Sequence, residues 1–180
     1  MKIILALFIA FSLYADIKQN MFNLYQNKKY VDVCDIGFNN FGRFKNDEEF
    51  VSLYAFACLN SDYLDRLSIP IAILKFSAEA RANSAYFAVI LMQKKLLYHA
   101  LIDGYNLSSL DLPSTDYVLS KVFDLYAKLG EHESRAFYLF EDDTDKKLTY
   151  KLYLTKDDKL SKIVIEEFYD TITLKRHVYW

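Results

Sequence analysis

The chain has 180 residues, with 22 basic side chains against 24 acidic ones and three histidines. That near-neutral, interspersed balance offers no basic stripe to neutralise phosphates, which excludes nucleic acid as a partner. Tyr and Phe number 15 and 14 against only four Gly and two Pro, which excludes a disordered chain and points to long packed helices.

Met1 and Lys2 precede an apolar run from Ile3 to Leu13, broken only by Ser12 and followed by Tyr14, Ala15 and Asp16. One basic residue, a short apolar stretch and a small residue before the first acid form the pattern of a secretory signal peptide over residues 1–15. The run is shorter than the roughly 20 apolar residues that a membrane span wants. Cleavage is expected after Ala15. Leu13, bulkier than the usual small residue three positions back, keeps an uncleaved anchor as the alternative. The expected mature chain, Asp16 to Trp180, has 21 basic against 24 acidic side chains. It has room for a helical domain over 16–130 and a β appendage over 131–180, with no stable membrane span after cleavage.

Ile17, Met21, Phe22 and Tyr25 lie at helical spacing before the polar break Asn27-Lys28-Lys29. A second helix is predicted from about Tyr30 to Gly42, carrying Val33, Cys34, Gly37, Phe38 and Phe41. Asn46 or Asp47 is placed to cap a third, with Glu48 and Glu49 in its positive first turn and Phe50, Val51, Tyr54, Ala57 and Cys58 on one face. Ser61 or Asp62 is expected to open a fourth, bent near Pro70.

These four helices contain an internal repeat. Asn27 to Ile36 aligns with Asn60 to Ile69 at an offset of 33, with Asn, Tyr, Asp and Ile identical. The period and a tyrosine just past each interhelical turn, Tyr30 and Tyr63, resemble tetratricopeptide-like repeats over about Asp16 to Phe76. That resemblance implies antiparallel helical hairpins stacked in pairs, with a concave face that binds other proteins. It implies that Tyr30 and Tyr63 pack one hairpin on its neighbour, each costing roughly 3 kcal/mol on replacement by alanine. Asn20, Asn23 and Glu49, on the first helices of the hairpins, would then belong to the binding face.

A long helix is predicted over Ala78 to Asp103, with Ser77 as N-cap and Gly104 as a left-handed terminator. Its middle, Ala85 to Met92, is apolar all round and reads as a central buried segment against which the hairpins pack. After a linker with Ser108, Ser109 and Pro113, Ser114 is expected to cap a last helix bearing Val118, Leu119, Val122, Phe123 and Tyr126 and ending at Gly130. The period then changes to two. Leu148 to Leu154, Ile163 to Ile165 and Ile172 to Val178, with Phe137 to Phe140, give three or four strands of an antiparallel meander that must pack on helices or on a partner. The fold class expected is α+β, mainly α.

Cys34 and Cys58 are the only cysteines, an even count in an exported chain, and fall on consecutive antiparallel helices. A disulfide is expected, with two buried free thiols as the alternative. His99, His132 and His177 share no metal-ligand spacing, so no metal site is expected. Glu141-Asp142-Asp143-Thr144-Asp145 lacks the glycine and distant glutamate of a calcium loop and reads as a solvated hairpin turn. No phosphate loop or nucleophile elbow is present in the sequence, and no catalytic residue or cofactor is predicted. The reading is a non-enzymatic protein-interaction or scaffold module of the cell envelope, periplasmic or otherwise exported, acting on an unnamed protein partner. The alternative is a small-molecule or lipid binder, or an envelope enzyme, with a tyrosine-lined cavity.

Overall fold

The computed structural model describes residues 17–157 and 159–180. The expected signal peptide and the start at Asp16 lie outside the described residues. The fold is α+β. Helix α1 covers residues 17–26, followed by α2 (Tyr30–Phe44), α3 (Glu48–Asn60), a 3-10 turn (Leu64–Leu67), α4 (Ser68–Ile73), α5 (Ala78–Asp103) and α6 (Val118–Ala127). Strands β1 (Tyr138–Glu141), β2 (Leu148–Asp157), β3 (Leu160–Tyr169) and β4 (Ile172–Tyr179) form one antiparallel sheet in the order 1-2-3-4.

Two compact units divide between Ser84 and Ala85, inside α5. The sequence suggests Gly130 instead, where the apolar period changes. The difference arises because α6 and the second part of α5 share a core with the sheet.

In the first unit, Asp47 caps α3 by accepting from the Phe50 N–H at 3.1 Å, and Ser77 caps α5 by accepting from the Ala80 N–H at 3.0 Å. Both caps satisfy helix N–H groups that would otherwise lack a partner. Val33, Cys34 and Gly37 of α2 are buried with Phe50, Val51, Tyr54, Ala57 and Cys58 of α3. Phe38, expected in that stripe, is 49% exposed, with the Arg66 guanidinium 4.8 Å from its ring centre. The predicted disulfide is present: Cys34 and Cys58 are bonded across the α2–α3 seam with Cα atoms 4.8 Å apart.

Neither Ser61 nor Asp62 caps the segment after α3. Ser61 hydroxyl bonds back to the Ala57 carbonyl at 2.7 Å, and Asp62 takes a left-handed backbone with φ of 65°. The segment opens as a 3-10 turn before α4, with Pro70 in the first turn, where a missing N–H costs little.

The turns after α1 and α3 have the same backbone path. Lys28 and Asp62 are left-handed at φ of 58° and 65°, and Lys29 and Tyr63 follow at φ/ψ of −81°/57° and −83°/57°. The structural offset is therefore 34, one more than the sequence alignment gives. By this register Tyr30 corresponds to Leu64 and Tyr63 to Lys29. Tyr30 and Tyr63 are both half-buried: Tyr30 meets Tyr25 edge-on at 5.0 Å, and Tyr63 lies 4.7 Å from the Arg66 guanidinium. Leu64, the structural counterpart of Tyr30, is fully buried.

In the second unit, Tyr138, Phe140, Tyr150, Leu152, Ile163, Ile165, His177 and Tyr179 share one sheet face by register and are buried. α5 supplies Phe87, Ile90, Lys94 and Leu97 at helical spacing, and α6 supplies Leu119, Val122, Phe123 and Tyr126. The apolar middle of α5 is not buried on most sides, since Met92 is 39% exposed. Tyr98 donates to the Ser161 carbonyl at 3.0 Å, Tyr179 to the Tyr117 hydroxyl at 3.2 Å, and Lys94 to the Trp180 carbonyl. The sheet thus packs on helices, as its size requires. α6 starts later than the sequence suggests. Ser114 does not cap it but donates to Asp124 at 2.5 Å, while Thr115 and Ser120 pair at 2.7 Å.

Candidate functional site

Two adjoining hollows on the first unit lie on either side of a ridge on α3. One, of about 440 Å³, is lined by Lys18, Gln19 and Phe22 of α1 and by Glu49, Phe50 and Leu53 of α3. The other, of about 260 Å³, is lined on α3 by Glu48, Glu49, Ser52, Leu53 and Phe56, and across from it by Ser77 and the start of α5 through Asn83. Glu49 and Leu53 belong to both, and their i, i+4 spacing makes them one ridge between the hollows. Phe22 is 48% exposed, and Leu53 and Phe56 are half-buried, which leaves an apolar floor open to solvent.

Polar contacts fix the rim. Lys18 Nζ lies 2.8 Å from Asp47 and 3.1 Å from Glu49, tying α1 to the start of α3. Asn83 donates to Ser52 at 3.2 Å. The Glu48 carboxylate accepts from the N–H groups of Lys75, Phe76 and Ser77 at 3.0, 2.7 and 2.9 Å. Bonding from the Phe76 N–H first, with Ser77 next, outweighs desolvation and holds this carboxyl at about 2 against an ordinary 4.5. A carboxyl depressed by folding favours the folded state above its unfolded pKa and loses that advantage as pH falls through its folded value. The clamp on Lys75–Ser77 should therefore persist at neutral pH and release between pH 4.5 and about 2. A carbon-detected carboxyl titration should place the Glu48 midpoint near the lower limit; a midpoint near 4.5 would mean that the three amides are not clamped.

Of the binding residues expected from the sequence, Glu49 stands in the middle of this surface. Asn23 sits at its margin, accepting from Gln19 at 3.1 Å. Asn20, two positions before Phe22, is exposed on the opposite side of α1 and does not line either hollow. Leu53 and Phe56 fall outside the apolar stripe read from the sequence, while Phe22, placed in the stripe of α1, is 48% exposed. The available signal was that α3 carries apolar side chains at 53 and 56 outside its buried stripe.

The second unit has a cleft of about 560 Å³ lined by residues 108–112, by α6 and by Asp142 to Thr144. Asp124, Asp142 and Asp143 of its lining are already engaged within the protein. Lys128 pairs with Asp143 at 2.5 Å, and Asp124 accepts from Ser114. Asp142, expected in a solvated turn, is buried and accepts from Thr144 N–H and hydroxyl, Asp145 N–H and Tyr150 hydroxyl. Those bonds, the Thr144 hydroxyl foremost, hold its carboxyl far below the usual range. It closes the β1–β2 turn and belongs to the structure of the sheet.

The histidines are not brought together. His99 pairs with Asp103 at 2.8 Å, His132 bonds Gly130 and Tyr138, and buried His177 bonds Glu167 at 2.9 Å. Among the described residues no group of three or more His, Cys, Asp or Glu side chains could hold a metal ion. No helix among them is long and apolar enough to cross a membrane. Comparison with protein families, with curated proteins and with solved structures finds no match to this chain.

Proposed function

We propose that the chain is an exported, non-enzymatic interaction or scaffold module of the cell envelope, periplasmic in location, which binds a partner protein through the hollows flanking the Glu49–Leu53 ridge. The observation that carries this reading is the solvent-open apolar floor of Phe22, Leu53 and Phe56 between polar rims on three successive first helices, α1, α3 and α5. The apolar N-terminal run from Ile3 and the Cys34–Cys58 bridge support export to an oxidising compartment. The turn geometry recurring at an offset of 34 supports a tetratricopeptide-like relation between the hairpins, in which these helices would line the concave side. The cleft of the second unit gives less support to a small-molecule site, because Asp124, Lys128, Asp142 and Asp143 of its lining are already bonded within the protein.

The exposed edge of the sheet is the competing surface, since β4 carries Ile172 and Leu174 in solvent. A photo-crosslinking residue placed at Leu53 or at Ile172, activated in the intact envelope, separates the two. A discrete protein adduct at Leu53 and none at Ile172 is expected. The reverse pattern would move the binding element to the sheet. N-terminal sequencing of the same exported material should begin at Asp16, and retention of Met1 would rule out cleavage.

A further inference from the structure

The two sulfurs of the bridge have different surroundings. Arg66, on the 3-10 turn after α3, donates from Nη1 to Cys34 Sγ at 3.2 Å, and the same nitrogen donates to Asp35 at 2.7 Å. Its guanidinium also stands 4.8 Å from the Phe38 ring centre. Cys34, Asp35 and Phe38 all belong to α2, so this cation is held to the helix that carries Cys34. Among the described residues no hydrogen bond reaches the Cys58 sulfur.

This asymmetry matters when the cysteines are reduced, because the thiolate is the form that attacks a disulfide. Both cysteines are fully buried, so desolvation opposes ionisation at each of them alike. A hydrogen bond from a cation favours the charged form, and only Cys34 receives one. Asp35 shares Nη1 and works against the thiolate, but 51% of its side chain is in solvent, which weakens it relative to a guanidinium in direct contact. From α3 the Tyr54 hydroxyl bonds the Arg66 carbonyl, and from the turn Tyr63 presents its ring to Arg66; neither brings a charge. Asp62 and Asp65 of the same turn make no hydrogen bond to Cys34. Lys18 and Tyr25 of α1 are bonded to Asp47, Glu49 and Asn60 instead, and α4 has no titratable side chain.

We infer that Arg66 sets the direction of thiol–disulfide exchange at this bridge: Cys34 is the sulfur that meets an external oxidant carrying a disulfide, and Cys58 is the one that closes the bond. In the reduced protein the α2–α3 seam is not cross-linked and can open, and Arg66 travels with Cys34 through its contacts on α2. The Cys34 thiolate attacks one sulfur of the oxidant; that S–S bond breaks, and the other sulfur leaves with the electron pair and takes a proton from water. The Cys58 thiol then gives its proton to solvent and attacks the Cys34 sulfur of the mixed disulfide, releasing the second thiol of the oxidant. Two protein thiols are oxidised and one disulfide is reduced to two thiols.

Oxidised glutathione is the probe. The full mature chain, reduced in denaturant and refolded, is mixed with it, quenched with acid at intervals and mapped by mass spectrometry. The glutathione adduct should lie on Cys34, at least about threefold over Cys58, because a tenfold gain in thiolate is partly offset by the lower nucleophilicity of a less basic sulfur. Arg66→Gln should slow bridge formation at neutral pH by a similar factor and move the pH–rate profile to higher pH, and Arg66→Lys should restore part of both. Asp35→Asn should move the profile the opposite way, a sign that loosened packing would not produce. Circular dichroism checks that each variant is folded; if Arg66→Gln does not refold, the adduct map of the unsubstituted chain and the Asp35→Asn profile decide. An adduct shared equally or found mainly on Cys58, a pH profile unmoved by Arg66→Gln, or one that Asp35→Asn leaves in place or shifts upward overturns the inference.

Discussion

Reduction of the Cys34–Cys58 bridge should lower the stability of the first unit by roughly 3 kcal/mol, the loop-entropy value for a closed loop of this size. The bond joins residues 24 apart on α2 and α3, both fully buried, so it removes conformational freedom from the unfolded chain without exposing a reactive sulfur in the folded one. Burial also means that reductant reaches the bridge mainly through unfolding, so protein must be reduced in denaturant and refolded before comparison. Urea transitions of the oxidised and reduced forms should differ in midpoint. Their slopes should differ too, because the cross-link keeps the unfolded chain more compact. Intact mass after alkylation without reductant should show no modified thiol in exported material. Two modified thiols there would end the claim, and with it the strongest structural support for an oxidising compartment.

The elements that could be read from the sequence were those set by local chemistry. Asp47 and Ser77 precede apolar-periodic segments and cap them as expected, and Gly104 ends α5 with φ of 71°. The alternation in residues 137–178 gives the four-stranded meander directly. Failures occurred where a tertiary partner outbids a local one. Ser114 has the composition of a cap, yet its hydroxyl goes to Asp124, and α6 starts at Val118 without a side-chain cap. Asp62 resembles an N-cap but takes the left-handed position of the turn, which shifts the structural repeat to 34 and makes buried Leu64, in place of Tyr63, the counterpart of Tyr30. Asp142 reads as one solvated acid among several, and its burial follows from Tyr150 lying beneath the β1–β2 turn. The candidate surface was half legible. Glu49 follows from helix position, while Phe22 looks like core in a one-dimensional pattern yet is exposed beside a hollow, and half-buried Leu53 lies outside the apolar stripe of α3.

The largest effect of a single side chain is expected at Tyr54, where replacement by alanine should cost about 3–5 kcal/mol, as for other large buried aromatics. Tyr54 is 1% exposed, and burial pushes its hydroxyl up to about 12. Its hydroxyl meets the Arg66 carbonyl only at 3.4 Å, so Tyr54→Phe should be nearly neutral and serves as the control for ring packing. Gly37 on α2 faces this ring so closely that a Cβ there would lie 2.5 Å from Tyr54 Cδ2 and 2.6 Å from Tyr54 Cβ. Gly37→Ala should therefore destabilise by about 1–3 kcal/mol through overpacking, in spite of the better helix propensity of alanine. Tyr54→Ala relieves the ring contact but keeps its own Cβ, so the Gly37→Ala/Tyr54→Ala double variant should remain less stable than Tyr54→Ala alone. The bridge lies on the same seam, one turn from Gly37 on α2 and one turn from Tyr54 on α3, and holds the helices at a Cα separation of 4.8 Å. With the bridge intact, α2 has little room to back away from the added methyl; with it reduced, the seam can open. Gly37→Ala should accordingly cost more in the oxidised protein than in the reduced one, as read from paired urea transitions. Equal costs in the two forms would show that the bridge does not set the helix separation, and a neutral Gly37→Ala would show that the helices are not this close.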